Sequence, residues 1–457
     1  MTSADPNLFI PPAPEVYKKD LPLWKLIRNT LQSSLSVWTD EAFDILFKIN
    51  HTLGVDRVLV NDPEGLRHVM TTNADNYCRP IVVQRVLRPL IGDGLFLAKG
   101  AEWRRQRRLL APPFTPTSIN LVSPHFQEAG LDLLRTIEGR AHVNLSEAFQ
   151  DTALEAVLRA LFSMPHYEAR ARLSVLARGY LGGHGRPTLF DGFARSEPDF
   201  AFANGARNRF QRAWLGAIDQ VEADRAKSPT QDGGARDLLD LLLGLRDADT
   251  GEALATAEIR DQSATMLFAG SETTARMMFW ASYLLTQAPD EQSKVRAEIA
   301  NFPPDRVTSL DDLRNWPHLR NVLLEALRLY PPVPHTIREA IGADQICGEP
   351  IKPNSQVWMS AWVMHRHRRF WEHPTAFMPD RFAGVSAPWV QIPAYVPFGA
   401  GPRICLGLTF ALSEAQIIMA QLLSRYQIGL ADGPPVMPIA RVTIEPSYEP
   451  EFHLQPV

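Results

Sequence analysis

The sequence predicts a mainly α-helical protein with small β-sheets, and this fold class follows from the spacing of apolar residues. Apolar residues recur at helical spacing over 256–287 and over 408–422, and the patterns between 117 and 245 are helical as well. Stretches that alternate apolar and polar residues are short, over 52–60 and over 442–452. We therefore expect helices to form the body of the fold, with a small sheet near the N-terminus and a final hairpin.

The composition is that of a soluble globular protein. The chain has 457 residues, of which 45% are hydrophobic and 21% are charged, enough for a large core. A formal net charge of −4 argues against a nucleic-acid binder. Cys78, Cys347 and Cys405 are too few and too widely spaced for a disulfide framework or a zinc pattern, which suits a reducing compartment. No stretch reaches the ~18 apolar residues of a spanning helix, so we expect a cytoplasmic protein without stable membrane insertion.

Residues 1–50 are predicted to form a proline-rich segment with one docking helix, and residues 51–457 a single domain. Prolines are frequent over 10–22, and a helix with one apolar face follows them. The residues of that face are Leu23, Leu26, Ile27, Leu31 and Leu35. Such a helix lies either on a membrane surface or on the protein's own body, and we favour the second interpretation.

The start of the domain is predicted as a strand that leads into a helix. Residues 52–60 indicate the strand, and Asn61-Asp62-Pro63 provide the cap and the first turn of a helix through Met70. The prolines and glycines of residues 77–99 predict a loop with one short helix, and Phe96 lies near its end.

A basic helix follows this loop. Trp103 and Arg107 share one face of it by their spacing of four residues, and Arg104, Arg105 and Arg108 surround them. On the residues alone, a solvent-exposed helix is the simpler interpretation.

Residues 182–205 interrupt the helical patterns with prolines and glycines, which predicts a long loop between two helices. Four phenylalanines are concentrated there: Phe190, Phe193, Phe200 and Phe202. They either anchor the loop to the body of the protein or form a mobile apolar lid.

The long helix over 256–287 contains the polar run Ala269-Gly270-Ser271-Glu272-Thr273-Thr274. Hydroxyl side chains can bond to carbonyls of the preceding turn, and Gly270 removes a side chain, so we expect the helix to open a groove there. The alternative is a tolerated polar kink.

Three charged segments follow. Glu325 and Arg328 are spaced so that they can pair on a helix among leucines, and an isolated pair of this kind is usually a surface salt bridge. Residues 365–369 read as a charged surface turn, and Arg381 belongs to the short run Pro379-Asp380-Arg381-Phe382.

The glycine-rich stretch Phe398–Gly407 presents one cysteine immediately before a helical pattern. Cys405 would lie at the helix N-terminus, where free N–H groups and the helix dipole favour a thiolate, and Arg403 adds a cation. The glycines allow a bulky flat partner to approach the backbone. A lone cysteine on an apolar helix is usually an inert core residue, so the loop must be considered as a whole.

The string Phe-x-x-Gly-x-Arg-x-Cys-x-Gly over this loop resembles the haem-binding signature of the cytochrome P450 superfamily. The resemblance implies the cytochrome P450 fold, with haem b (iron protoporphyrin IX) between the long distal helix and the cysteine loop. It implies that Cys405 is the metal ligand, that Arg403 pairs with a haem propionate and that Phe398 packs beside the thiolate.

Further motifs resemble the same family in the family's order. Trp103 and Arg107 match its Trp-x-x-x-Arg, and Arg338 matches a further residue that contacts a propionate. Glu272 and Thr273 match the distal helix motif, which implies that they relay protons above the iron.

The resemblance also assigns structural and pocket residues. Glu325 and Arg328 match the buried Glu-x-x-Arg pair, which Arg381 completes, with Asp380 where glutamate is more usual. The substrate pocket is expected to include Phe96, Ala269, His335 and Thr336. A histidine at a strand end is more often solvated, so contact between His335 and substrate is one of two interpretations.

The implied function is insertion of one oxygen atom from O₂ into a small apolar organic substrate. Electrons would come from NAD(P)H through a separate reductase and a ferredoxin or flavodoxin, because no flavin, dinucleotide or iron–sulfur motif follows the haem loop. We expect an acidic donor to dock on the face that carries Arg104 and Arg108, and the enzyme to be a monomer. The alternatives are a peroxide-dependent hydroxylase of the same fold and a haem sensor or carrier without turnover.

Overall fold

The computed structural model describes residues 8–457 except 53, 164–166, 187, 189–190, 192–204, 228–234 and 248. The four phenylalanines of the predicted lid, Phe190, Phe193, Phe200 and Phe202, lie outside the described residues.

Helices form the body of the protein, as predicted. They are α1 (Leu23–Gln32), α2 (Pro63–Arg67), α3 (Ile81–Ile91), α4 (Gly100–Leu110), α5 (Pro116–Ile137), α6 (Leu145–Phe162), α7 (Tyr167–Gly179), α8 (Gly205–Ala226), α9 (Leu238–Gly244), α10 (Thr256–Gln287), α11 (Pro289–Asn301), α12 (Pro317–Leu329), α13 (Ala361–Met364), α14 (Pro388–Gln391) and α15 (Leu408–Arg425).

Within the described ranges, the strands form one sheet of five and three smaller sheets. They are β1 (Phe47–Thr52), β2 (Val55–Val60), β3 (Tyr77–Cys78), β4 (His142–Val143), β5 (His335–Ala340), β6 (Asp344–Ile346), β7 (Glu349–Ile351), β8 (Gln356–Ser360), β9 (Tyr426–Leu430), β10 (Pro438–Ala440), β11 (Ile444–Pro446) and β12 (Phe452–Pro456). The large sheet has the order β1-β2-β8-β5-β3, in which only β2 and β8 are parallel. The others are β4-β12-β9, β10-β11 and β6-β7.

Helix α10 is the central element of the core. From Thr274 to Leu285 every residue is buried, which fits the rule that a helix that is apolar on all sides lies inside the protein. It packs closely on α6, because a Cβ atom on Gly270 would lie 3.0 Å from Cγ2 of Val157. The glycine therefore allows two helices to meet, and α10 remains continuous where the sequence predicted a groove.

The N-terminal part of the domain contains more regular structure than predicted. The strand expected at 52–60 is the second half of a hairpin in which Phe47 pairs with Val60. Asp62 caps α2 by accepting a hydrogen bond from the N–H of Gly65 at 2.9 Å, and a wider π turn over His68–Thr72 follows. Within the predicted loop 77–99, α3 is a helix of 11 residues.

The prediction of a final hairpin over 442–452 is wrong, because the two strands of this region do not pair with each other. Strand β11 pairs with β10, whereas β12 pairs with β9 and β4. Phe452 thereby lies opposite Leu430 and Val143, which places the end of the chain on the helical body.

The proline-rich segment packs on the rest of the chain. The carbonyl of Phe9 accepts a hydrogen bond from the N–H of Phe377 at 3.0 Å, and that of Pro12 accepts one from the Tyr330 hydroxyl at 2.8 Å. Helix α1 is less covered than predicted, because Trp24 is 65% exposed and Asn29 is its only buried residue. The division at residue 50 stays a prediction. Among the described residues, no helix has the length and apolar character needed to cross a bilayer.

Candidate active site

A cavity of about 380 Å³ lies between α10 and the loop that precedes α15. Its walls are mostly apolar, and α4 and β5 close its sides. Cys405, Ala269 and Thr273 all line it, so the cysteine loop and the distal motif border a common space.

The cysteine loop is held by its backbone. The N–H of Cys405 donates to the carbonyl of Phe398 at 2.9 Å. Gly401 has a φ of 66°, and a Cβ atom on it would lie 2.4 Å from the carbonyl oxygen of Met70. Only glycine fits this position, because a side chain would be strained and would collide with the π turn after α2. Phe398 lines the cavity and packs edge-on against Trp389, with ring centroids 6.0 Å apart.

The Cys405 thiol opens into the cavity, and the cation near it is not the one that the sequence predicted. Burial raises the pKa of the thiol, while the N–H of Gly407 and the charge of Arg107 act in the opposite direction. Arg403 is not the cation beside the sulfur. Its guanidinium donates to the carbonyl of Ala98 at 3.2 Å and lies 4.2 Å from the centre of the Trp103 ring.

Four arginines surround the cavity near this loop. Arg107 donates to the carbonyl of Ile404 at 2.8 Å, and Arg338 donates to its neighbour Ile337 at 3.0 Å. Arg79, Arg338 and Arg403 form no ion pair with any carboxylate of the described residues. Burial, reinforced by Arg403, lowers the pKa of Arg338 to about 10, and burial lowers that of Arg403 to about 10. Both remain charged at neutral pH.

Arg79 is a site residue that the sequence analysis missed. Its guanidinium stacks on the ring of Phe96 at 4.1 Å from the centroid, and burial together with Arg338 and Arg403 lowers its pKa well below the ordinary value. The one available signal was a single arginine before Pro80, at the start of an apolar helix.

The distal motif is arranged around hydroxyl groups. Thr273 donates to the carbonyl of Ala269 at 2.6 Å, and both residues line the cavity. Glu272 does not line it. Its carboxylate accepts hydrogen bonds from Arg276 at 2.8 Å, Thr443 at 2.9 Å and Gln150 at 3.3 Å. The relay assigned to Glu272 stays a prediction, and it requires the carboxylate to leave these partners.

His335 is not solvated at a strand end. Its Nδ1 lies 3.0 Å from the Ser360 hydroxyl and its Nε2 3.0 Å from that of Ser34. The ring lies between Trp38 and Trp358, and burial lowers its pKa to about 4. The imidazole is therefore neutral at neutral pH, and His335 and Thr336 both line the cavity.

Glu325, Arg328 and Arg381 meet in the interior of the protein. Arg328 donates to Glu325 at 2.7 and 2.8 Å, and Arg381 donates to Glu325 at 3.2 Å. The remaining donors of Arg328 bond to the carbonyls of three loop residues: His365, Pro374 and Ala376. Asp380 is outside this cluster, at the surface beside Lys294.

The segment predicted as a charged surface turn is only partly at the surface, because Arg368 and Arg369 are exposed and its first three residues are buried. His365 and His367 expose no surface, and Arg366 lies over the ring of Trp362 at 3.5 Å. A cation–π contact between the Arg366 guanidinium and this ring replaces the solvent contact that the prediction assumed.

The basic face on α4 is neutralised by acids, because three aspartates pair with the two arginines expected to attract a partner. Arg104 pairs with Asp75 at 3.2 Å, and Arg108 pairs with Asp247 at 3.1 Å and with Asp249 at 2.8 Å. These arginines are therefore a weaker attraction for an acidic partner than their sequence suggested.

Comparisons with known proteins agree with this arrangement. A sequence profile of the family described as Cytochrome P450 matches residues 46–450. The chain is 29% identical over 431 residues to Cytochrome P450 734A4 of Oryza sativa subsp. japonica, covering 86% of this chain and 78% of that protein. It is 29% identical over 393 residues to cyclooctatin synthase of Streptomyces melanosporofaciens, covering 84% and 83%.

A plant hydroxylase and one solved structure extend the comparison. Cytokinin hydroxylase of Arabidopsis thaliana is 28% identical over 414 residues, with 88% of this chain and 79% of that protein covered. The crystal structure of the cytochrome P450DA heme domain superposes with a TM-score of 0.79 at 23% identity, with 98% of each chain covered.

Proposed function

Because this chain belongs to the cytochrome P450 family, we propose that it is a haem-thiolate monooxygenase that inserts one atom of O₂ into an apolar organic substrate. The observation that supports this proposal is the group of arginines around the cavity that Cys405 faces, of which Arg338 is buried and Arg79 and Arg403 are half-buried. Arg79, Arg338 and Arg403 are three cations without carboxylate partners among the described residues. Buried charges require a counterion, and haem b brings two propionates together with an iron for the sulfur.

Six residues that line the cavity form a cradle that would hold haem. Arg338, Arg403 and Arg79 would pair with the propionates, Trp103 and Arg107 would support that pairing, and Cys405 would ligate the iron. Once bound, haem supplies the activation of oxygen, which a thiolate ligand promotes by donating electron density. Phe398 covers the sulfur and limits the access of water to it.

The distal residues act on protons and on the substrate. Thr273 donates its own proton to the Ala269 carbonyl, so its hydroxyl oxygen is free to accept a hydrogen bond in the cavity, and Glu272 exchanges protons with the cavity after its carboxylate leaves Arg276. Phe96, Ala269 and Thr336 line the pocket for an apolar molecule. His335 contributes a neutral ring to that wall, because its two nitrogens are already hydrogen-bonded to serines.

The electrons come from NAD(P)H through a separate reductase and a ferredoxin or flavodoxin. An acidic donor of this kind docks on the α4 face, where Arg104 and Arg108 exchange their present acidic partners for acids of the donor. The acids beside them reduce the attraction, so the salt dependence of reduction is expected to be smaller than that of a free basic patch. We propose a cytoplasmic monomer.

The test is oxygen consumption by the purified haem protein with NAD(P)H and a generic reductase and ferredoxin. A monooxygenase consumes O₂ and, with a substrate found by optical titration of a compound panel, forms a product that contains one atom of ¹⁸O from ¹⁸O₂. A peroxide-dependent hydroxylase forms product from hydrogen peroxide but not from O₂ and NAD(P)H. A sensor binds the gas without turnover, and either of these results would replace the proposal.

A further inference from the structure

A carboxyl group that the proposed mechanism does not use is buried beside the cavity. Glu414 lies on α15, exposes no surface and makes no hydrogen bond from either carboxyl oxygen. An unsatisfied buried carboxyl is rare in folded proteins. The group must therefore have a neutral form and a partner that it can reach.

Thr274 on α10 is the residue whose side chain lies within hydrogen-bonding reach of this carboxyl. It exposes no surface, its hydroxyl oxygen also lacks a hydrogen bond, and the residue lines the cavity. Two polar groups without partners therefore face each other between the distal helix and the helix that follows Cys405.

Thr274 differs from neighbouring hydroxyls of the same helix. Three of them donate to the carbonyl four residues earlier: Thr265 at 2.7 Å, Ser271 at 2.5 Å and Thr273 at 2.6 Å. This bond is the ordinary way in which a mid-helix hydroxyl is satisfied. Thr274 does not form it, so its hydroxyl proton is available for another acceptor.

The surroundings of Glu414 favour the neutral acid. Burial raises the pKa of the carboxyl well above its usual range, Thr274 is the one group that counters it, and no charged residue in the described part of the chain acts on it. An acid that remains protonated at neutral pH is a hydrogen-bond donor, because one oxygen carries a proton.

We propose that Glu414 donates a hydrogen bond from its carboxyl group to the Thr274 hydroxyl and thereby directs the Thr274 proton into the cavity. The inference rests on the proposed function, since the acceptor is a small polar molecule bound in the haem cavity. Glu414 is a positioning residue and not a proton source. Loss of its proton would leave an isolated carboxylate in the interior, which is strongly unfavourable.

The first test measures the acid itself by infrared spectroscopy. The wild-type minus Glu414→Gln difference spectrum should contain the carbonyl band of a protonated carboxyl, unchanged from neutral to mildly alkaline pH. Thr274→Val should shift this band, because the acid loses its acceptor. An ionised carboxylate band at neutral pH, or a band that Thr274→Val leaves in place, would overturn the proposal.

The second test detects the Thr274 hydroxyl through its effect on a ligand in the cavity. The measured quantity is the stretching frequency of carbon monoxide bound to the reduced protein. Thr274→Val and Glu414→Leu should shift the frequency in the same direction, and the double variant should add nothing to either. Glu414→Gln and Thr274→Ser should retain the wild-type frequency, because an amide and a serine can still donate. If Glu414 were a proton source, Glu414→Gln would shift the frequency as Glu414→Leu does, because an amide cannot supply that proton.

A matched control separates this effect from general damage to the interface between the two helices. Ser282 is a buried hydroxyl on α10 that contacts Met419 on α15 at 3.5 Å, and it does not line the cavity. Ser282→Ala should leave the carbon monoxide frequency unchanged, and an equal shift would contradict the proposal. A thiolate-type Soret band in every variant shows that the proposed haem site is intact, so a negative result would concern Glu414 alone.

Discussion

Arg328 and Glu325 form an ion pair in which neither side chain exposes any surface. Both charges are satisfied in all directions, because Glu325 also accepts from the N–H of Met378 at 2.9 Å and from Arg381. Arg328 bonds to loop carbonyls that lie far along the chain. The pair therefore fixes the segment over 365–378 against α12.

Glu325→Gln should destabilise the protein strongly. The variant leaves Arg328 buried without a full negative partner, which costs about 3–5 kcal/mol for a broken buried pair. Urea denaturation of the holoprotein measures the free energy of unfolding. Arg314→Ala is the control, since Arg314 and Asp311 have the same spacing at 84% and 80% exposure, and we expect a loss of only about 0–1 kcal/mol. Equal losses in the two variants would contradict the interpretation.

Cys405→Ser should abolish the red-shifted Soret band of the reduced carbon monoxide complex, because the serine hydroxyl cannot replace a thiolate on iron. Absorption spectra of the purified variant measure the result. Cys78→Ser and Cys347→Ser are matched controls that should retain the band. If the band survives in Cys405→Ser and disappears in one of the controls, the assignment of the ligand is wrong.

Arg79→Gln should weaken the retention of haem. The variant removes one charge-assisted hydrogen bond, of about 1.5–3 kcal/mol, from the cradle, so haem loss should be about 10–100 times faster. Transfer of haem to apomyoglobin measures the rate. Arg104→Gln is the control, because that side chain is 55% exposed and pairs with Asp75 outside the cavity. A similar rate in both variants would remove Arg79 from the cradle.

Thr273→Ala should divert electrons from product to hydrogen peroxide. The variant removes the hydroxyl oxygen that accepts a hydrogen bond in the cavity, while haem and substrate still bind. The ratio of product to NAD(P)H consumed should fall although consumption continues. Ser271→Ala removes a similarly bonded hydroxyl that does not line the cavity, and it should leave the ratio unchanged. An unaltered ratio in Thr273→Ala would exclude this threonine from proton delivery.

His335 should make the stability depend on pH in the acidic range. Burial lowers its pKa from 6.5 to about 4, so between these values the unfolded chain binds more protons than the folded chain. Its contribution to stability is therefore complete above pH 6.5 and is lost as the pH falls toward 4. His335→Asn should reduce the loss of unfolding free energy between pH 7 and pH 5 by about 1–2 kcal/mol.

His51→Asn is the control for this experiment, because the His51 side chain is 65% exposed. It should leave the pH dependence close to that of the wild type. Parallel stability curves for the wild type and His335→Asn would show that the imidazole titrates normally.

The features that the sequence could predict are those that lie within short motifs. The long helix was expected at the residues that α10 occupies, and the residues of the cysteine signature are contiguous in the chain. Arg79 was missed because it meets Arg338 and Arg403 only in the folded protein. His335 was misjudged for the same reason, since Ser34 is 301 residues away. Glu414 gave no signal either, as its buried surroundings arise from packing between two distant helices.

The prediction of how the last strands pair failed for a related reason. Alternation of apolar residues predicts that a strand exists, but it does not identify the neighbour with which the strand pairs. The partner of Phe452 on β4 is Val143, and no local turn connects them.

The contact between Gly401 and Met70 has a consequence for how the protein assembles. The two residues are more than 300 positions apart, yet the cysteine loop can adopt its shape only against the π turn over His68–Thr72. Contacts between such distant segments form slowly during folding, because a long chain must close before they are made. The binding site for the cofactor is therefore completed late, after both ends of the chain have docked. Capture of haem then reports the completion of folding, and fragments that lack either end should remain colourless.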